Sequence, residues 1–328
     1  MKPFTFIRAN EARIAMHAAQ QNSSGKIIAG GTNLLDLMKL EIETPEQLID
    51  INLLPMKKIE VLPDGALRIG ALVRNSDLAY HPIVRKKYVV LSEALLSGAS
   101  PQLRNMATVG GNLMQRTRCP YFYDTVFPCN KRVPGSGCAA MDGYNRSHAI
   151  LGTSNQCIAT HPSDMCVALS ALDAVVRVSG LNGERTIPVV DFHLVPGESP
   201  DKETRLEKGE IITSVEIPAV AMGTKSRYLK VRDRASYEFA LASAAVVLEM
   251  NGGTIQKAKI AFGGIATKPW RASQAEQALK GARLEEAAFQ SAAAAALQEA
   301  KPRKFNGFKV ELAKRTLIRA LKITGGVA

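Results

Sequence analysis

Four of the five cysteines of this 328-residue chain stand in one short stretch, in the frame Cys119-x9-Cys129-x8-Cys138-x18-Cys157. Thiolates are soft donors, and four of them on one loop can hold zinc or an iron–sulfur cluster, or pair as two disulfides. The odd cysteine count and a reducing compartment disfavour disulfides. The spacing has neither the close cysteine knuckles of structural zinc sites nor the Cys-x2-Cys runs of ferredoxins, so by itself it supports a four-thiolate site and no particular metal. A cluster with ligands on one wandering loop fits the frame better than a zinc ribbon. The segment RCPYFYDTVFPCNKRVPGSGCAAMDGYNRSHAILGTSNQC is poor in aliphatics and rich in glycine, proline and basic residues. It is expected to build no packed core of its own and to depend on its metal for order. Cys166, beside Met165, Leu169 and Leu172, reads as a buried structural thiol.

A second chemistry lies in two glycine turns. In KIIAGGTNLL an apolar run ends at Gly30-Gly31 and a helix follows. Glycine lets the backbone approach a ligand closely, and successive N–H groups then form a nest for an anion such as a diphosphate. TVGGNLMQ, with Gly110-Gly111, repeats the pattern further on. Two such turns would approach one pyrophosphate from two sides, although each alone also reads as a plain turn. There is no Walker A sequence. The match Gly135-Ser136-Gly137-Cys138-Ala139-Ala140 to a dinucleotide fingerprint follows Pro134 with no strand before it, and is rejected.

Other residues carry a chemical and a plain reading side by side. His161, before Pro162, is a base, a cluster neighbour or, preferably, the organiser of a turn. Asp124 suits an Asx turn, and Lys230, on a strand, is by default solvent-facing. Arg116, Arg118, Lys131 and Arg132 would stabilise a reduced cluster, or form a basic docking surface.

The elements that must position these groups fall into three units. Residues 1–55 read as a small α/β unit, with strands at Phe4–Ile7, Lys26–Ala29 and Leu48–Ile51 and a helix at Glu11–Gln20. Residues 56–218 read as a second α+β unit, interrupted at about 116–157 by the cysteine segment. Its signals are an Asp64-Gly65 hairpin, helices at Asn75–Tyr80 and Val89–Ser97, a helix capped by Ser163, and a hairpin at Asn182-Gly183. After a linker at Ala219–Thr224, residues 225–328 supply strands and then Ala-rich helices ending with Phe308–Ile323. At 46% hydrophobic and 22% charged the composition is that of an ordinary globular protein. No apolar run reaches the length of a membrane span, and no membrane insertion is expected. The N-terminus has no signal-peptide core and no twin arginine, which predicts folding in the cytoplasm and export only with a signal-bearing partner. The net charge of +12 includes Lys301, Arg303, Lys304, Lys309, Lys314, Arg315, Arg319 and Lys322 near the C-terminus. A solvated helix face is preferred to a nucleic-acid surface, because no nucleic-acid motif accompanies the charge.

The motifs IAGGTNLLDLMK, ATVGGN and HPSDM together resemble the FAD-binding subunit of the molybdenum hydroxylases, and KVRDRASYEFALASAAV resembles the start of that family's C-terminal domain. The resemblance implies an α+β fold. A vanillyl-alcohol-oxidase (PCMH)-type FAD-binding domain in two subdomains would precede a C-terminal CO-dehydrogenase-flavoprotein-like α+β domain. Lys26, Ile27, Ile28, Ala29, Gly30, Gly31, Thr32, Asn33 and Leu34 would wrap the FAD pyrophosphate, and Thr108, Gly110, Gly111 and Asn112 would close on it. Asp124 would sit near the flavin, Asp164 would accept hydrogen bonds from FAD hydroxyls, and Lys230 would lie close to the isoalloxazine. Most members lack the cysteine segment. It resembles two branches that carry a [4Fe–4S] cluster, and RTRCPYFYDT looks closer to the periplasmic aldehyde oxidoreductases than to the hydroxybenzoyl-CoA reductases. Cys119, Cys129, Cys138 and Cys157 would be the ligands. The resemblance further implies a heterotrimer with a large molybdopterin-binding subunit and a small subunit bearing two [2Fe–2S] clusters. Electrons would run to FAD and an external acceptor, with no catalytic residue on this chain. In the CoA-reductase alternative they run the other way, and a zinc-stapled basic binding module would carry no flavin at all.

Overall fold

The computed structural model describes residues 1–327. Three parallel strands, β1 (Thr5–Arg8), β2 (Gly25–Ile28) and β3 (Gln47–Asp50), form the first sheet in the order β1-β3-β2. The helix Ala12–Gln21 crosses from β1 to β2 and buries Ala15 and Met16 against Ile49 and Ile51. Gly30-Gly31 then turns the chain into the helix Leu34–Lys39, whose Leu37 and Met38 are buried.

The second sheet is antiparallel, with β4 (Ile59–Val61), β5 (Leu67–Gly70), β6 (Val175–Gly180), β7 (Gly183–Pro188) and β8 (Ile211–Ile217) in the order β4-β5-β8-β6-β7. Gly180 pairs with Gly183, so the β6–β7 loop is Leu181-Asn182, and Gly183 itself opens β7 at φ 118°. Five helices fill the span before the cysteine segment: Asn75–Tyr80, Pro82–Lys87, Val89–Ser97, Pro101–Met106 and Val109–Leu113. Pro82 and Pro101 punctuate the sequence, yet each stands at the start of its helix, where a missing N–H costs no hydrogen bond. Ser100 caps the fourth of these helices by accepting from Leu103 N at 3.2 Å.

The third sheet, β9 (Lys225–Val231), β10 (Ala242–Asn251), β11 (Thr254–Gly263) and β12 (Trp270–Arg271), is antiparallel in the order β12-β11-β10-β9. Strand β10 is buried on both faces, which explains its unbroken apolar run ASAAVVL. Ala244, Val246 and Leu248 pack with Phe289, Leu317 and Leu321 under the C-terminal helices. Ala245 and Val247 join the core of the second unit, with the helices Val89–Ser97 and Asp164–Ala171. The last helix, Phe308–Gly325, carries Arg315 and Arg319 outward, but Lys309 departs from the solvated-face expectation. It is 0% exposed, and its ammonium donates to Ser147 O at 2.8 Å and Gly264 O at 2.7 Å. Among the described residues no helix is long and apolar enough to cross a membrane.

The cysteine segment is mostly turns, with one short helix at Pro120–Tyr123. The segment packs on two cores that its neighbours share. Phe122 and Cys129 pack on Leu37 of the first unit, while Ile150 and Leu151 enter the core of the third. Buried polar side chains replace aliphatics elsewhere, a device that composition does not reveal. Asn130 donates to Gln156 O at 3.1 Å and accepts from Gly137 N at 2.7 Å. Asn145 donates to Ala140 O at 3.2 Å and accepts from Phe305 N at 3.0 Å.

Candidate functional site

A groove of about 520 Å³ runs between the first and second units, and both glycine turns line it. Gly30 and Gly31 are forced by geometry. A Cβ on Gly30 would stand 2.1 Å from Met106 O, and Gly31 has φ +71°. The first turn thus packs its backbone against the chain that leads into the second. All of Lys26 to Leu34 line the groove, and the N–H groups of Gly30, Gly31, Thr32 and Asn33 meet no protein acceptor among the described residues. Backbone donors left free on a groove wall suit an anionic ligand.

The second turn behaves differently. Thr108, Gly110 and Gly111 line the groove, but Gly110 N donates to Ala71 O at 2.8 Å and Gly111 N to Thr108 Oγ1 at 3.2 Å. It is a capped helical turn, and it supplies close approach rather than a second nest. Asn112 faces away, accepting from Ser163 Oγ at 2.6 Å and Gln115 Nε2 at 2.7 Å.

Asp124 lines neither the groove nor the cavity beside it, and stands exposed with Oδ1 accepting from Val126 N at 3.0 Å, the Asx-turn alternative. Asp164 and Lys230 do meet, as a buried ion pair at 2.8 Å whose side chains are 8% and 4% exposed. Tyr228 OH donates to the other carboxylate oxygen at 2.5 Å, and burial followed by the Asp164 charge holds its phenol well above the usual range. Lys230 is therefore neither solvent-facing nor a free positive charge. Asp164 lines a smaller cavity of about 170 Å³ together with Cys119 and His148. That cavity and the groove share Thr160, His161 and Pro162, so the two adjoin.

The four cysteines are brought together. All are free, and Cys129 and Cys138 face each other across an isolated β-bridge. Burial pushes the Cys119 thiol up to about 12 and Cys157 to about 11. Against burial, amide N–H groups lower the thiols at Cys119 (Phe122 and Tyr121) and Cys138 (Ala140, Ile158 and Met141), and the Lys131 charge, then the Ala159 N–H, lowers Cys157. Amides aimed at sulfur suit thiolates that carry charge to a metal centre. Among the described residues, the only three His, Cys, Asp or Glu side chains with ligand atoms all within 4.8 Å of one another are His161, Cys166 and His193. The four-cysteine set is thus spread more widely than tetrahedral zinc, whose sulfurs stand about 3.8 Å apart at a bond length of about 2.3 Å.

Several residues that the sequence reading passed over or placed elsewhere complete the site. His148 Nε2 lies 3.1 Å from Cys119 Sγ. Glu203, in the long loop before β8, pairs with Arg116 at 2.5 Å and Lys131 at 2.8 Å, and Arg116 also pairs with Glu43. Arg132 donates to the carbonyls of Phe122 at 2.7 Å and Tyr121 at 3.1 Å. These cations tie the cysteine segment down and are not the free basic surface that the composition suggests. His161 accepts from Ser163 N at 3.3 Å through Nδ1, the turn-organising role, and His193 Nε2 donates to Leu113 O at 2.9 Å. Cys166 is fully buried in the second unit's core.

Comparison with known proteins places this arrangement. The family model of the FAD binding domain in molybdopterin dehydrogenase matches residues 2–220, and that of the CO dehydrogenase flavoprotein C-terminal domain matches residues 227–324. The aldehyde oxidoreductase FAD-binding subunit PaoB of Escherichia coli (strain K12) is 54% identical over 323 residues, 98% of either chain. The carbon monoxide dehydrogenase medium chain of Hydrogenophaga pseudoflava is 30% identical over 92% of this chain and 90% of its own. A solved structure of carbon monoxide dehydrogenase from the same organism superposes with a TM-score of 0.79 at 29% identity, covering 99% of this chain and 98% of that one.

Proposed function

This chain belongs to the molybdopterin-dehydrogenase FAD-binding family, and we propose that it is the electron-transfer flavoprotein subunit of a molybdenum-dependent aldehyde oxidoreductase. FAD would lie in the groove, and a [4Fe–4S] cluster on Cys119, Cys129, Cys138 and Cys157. The observation that carries the reading is that both glycine turns meet in one groove, which adjoins a cavity bounded by Cys119. The wide spread of the four sulfurs favours a cluster over a single zinc ion.

On this reading the aldehyde takes up water and leaves as the carboxylic acid with two protons and two electrons, at a molybdopterin centre on a large partner chain. A small partner with two [2Fe–2S] clusters delivers the electrons. When bound, FAD supplies a carrier for the pair on its way to an external acceptor, and the cluster a one-electron site beside it. This chain's residues bind and orient. The amides from Gly30 to Asn33 hold the diphosphate, Gly30 and Gly110 allow the backbones to close in, and Lys230 with Tyr228 fixes the Asp164 carboxylate. No residue here acts as acid or base on the aldehyde. Residence in the periplasm would follow if a partner carries the export signal.

The test is iron and acid-labile sulfide per flavin on anaerobically purified protein. About four of each beyond the small partner's content is expected. Cys157→Ser should lower both while flavin stays bound. Flavin without matching iron and sulfide in the wild type would overturn the cluster. Aldehyde turnover by this chain free of molybdenum would overturn the subunit assignment.

A further inference from the structure

We infer that His148 is the side-chain donor that tunes the cluster, giving an N–H···S hydrogen bond from its Nε2 to Cys119 Sγ. The inference rests on the four-cysteine cluster reading above. The two atoms are 3.1 Å apart, and His148 is 2% exposed. A sulfur bound as thiolate only accepts, so Nε2 must carry the proton, and Nδ1, which has no partner, is the bare ring nitrogen. Among the described residues no other side chain hydrogen-bonds any of these four sulfurs; the remaining donors are backbone amides, such as Ala159 N at 3.4 Å from Cys157 Sγ.

The ring is placed, not incidental. His148 N donates to Asn145 O at 3.0 Å, its carbonyl accepts from Asn306 Nδ2 at 3.4 Å, and the preceding Ser147 carbonyl accepts from the buried Lys309. Tyr121 packs on the ring at 6.1 Å between centroids. Cys119 also borders the smaller cavity that adjoins the groove. The donor therefore acts on a sulfur that borders the cavity beside the proposed flavin site. Taking up one electron adds negative charge to the cluster and its sulfurs. A fixed N–H stabilises that form more than the oxidised one and raises the potential. His148 is a positioning residue in this sense: it acts through Cys119 and touches no substrate.

The experiment is a dithionite redox titration followed by electron paramagnetic resonance, on the full chain with its copurifying subunits. Wild type, His148→Leu and His148→Gln are compared. His148→Leu should disfavour the reduced cluster at least tenfold, about 59 mV for one electron, with iron and sulfide per flavin unchanged. His148→Gln, which keeps an N–H donor, should hold most of the wild-type midpoint. An unchanged midpoint in the Leu variant with its cluster intact overturns the inference, as does a Gln variant shifted as far as Leu. If the Leu variant fails to assemble, pulsed resonance on wild type labelled with nitrogen-15 histidine decides: a weak coupling from one histidine nitrogen to the reduced cluster supports the bond, and its absence overturns it. Absence of iron from flavin-loaded wild type overturns the cluster reading itself, a result separate from all of these.

Discussion

Gly30 is the residue with the least freedom in the site, because its missing Cβ is where Met106 O passes. Gly30→Ala is expected to cost about 1–3 kcal/mol of stability by overpacking and to cut FAD occupancy sharply while leaving iron in place. Melting temperature and flavin-to-protein absorbance check both effects. Gly307→Ala is the control. Nothing stands within 4 Å of its would-be Cβ and φ is −58°, so it should be neutral or slightly stabilising. If Gly30→Ala binds FAD like wild type, the close approach of the two turns is not what shapes the groove. The sequence identified both glycine turns but could not distinguish them, because Gly110 N is taken up by Ala71 O, far away along the chain, while the amides from Gly30 to Asn33 stay free. Asp124 stands in the Asx turn that its residue type suits, outside both the groove and the cavity beside it.

The long loop between β7 and β8 reads in sequence as a charged connection, and its acids look solvated. Folding brings Glu203 between Arg116 and Lys131, so one loop carboxylate clamps both ends of the first half of the cysteine segment. Burial opposes the charge, but Lys131 and Arg116 together hold the Glu203 carboxyl below its usual value. A depressed carboxylate contributes stability that is present above its unfolded pKa, about 4.3, and is lost as pH falls through the lower folded value. Glu203→Gln should therefore be less stable than wild type at neutral pH, and the gap should close as pH falls below about 4. Urea midpoints at neutral and acidic pH measure this. A gap independent of pH would mean the ion pairs contribute nothing through charge. Strands and helices with clean periodicity were legible: Asn75–Tyr80 and Val89–Ser97 lie where the pattern put them. Pro82–Lys87 and Pro101–Met106 were not, because a proline at a helix start and one at a break look alike in sequence.

Across the whole molecule, the cysteine segment is the joint. It packs on the first unit through Phe122 and on the third through Ile150 and Leu151. Lys309 secures the second contact from the last helix, joining Ser147 to Gly264. Burial, then Arg146, pushes this lysine down to about 7, with Asp233 opposing. Between that value and the unfolded lysine's roughly 10.4 the unfolded chain binds more protons, so this group makes stability rise with pH across that window. Lys309→Met should remove that rise, and it should also loosen the 145–148 turn that carries His148. Thermal melts between neutral and alkaline pH check the first effect, and limited proteolysis of the segment checks the second. A slope unchanged in the variant would show that Lys309 does not titrate there.

The sequence by itself determined the glycine turns and the set of four thiols, because missing side chains and cysteine spacing are local properties. The three-sheet architecture has the mixed α+β character that the sequence implied. Only the tertiary structure decided which residues face one another. Asp164 meets Lys230 across 66 positions and His148 meets Cys119 across 29. Charges spread along the chain became internal ties, and a helix lysine became a buried clasp. Such pairings depend on how sheets and helices pack against each other, and in a compact fold nearest neighbours in space are set by that packing, not by distance along the chain.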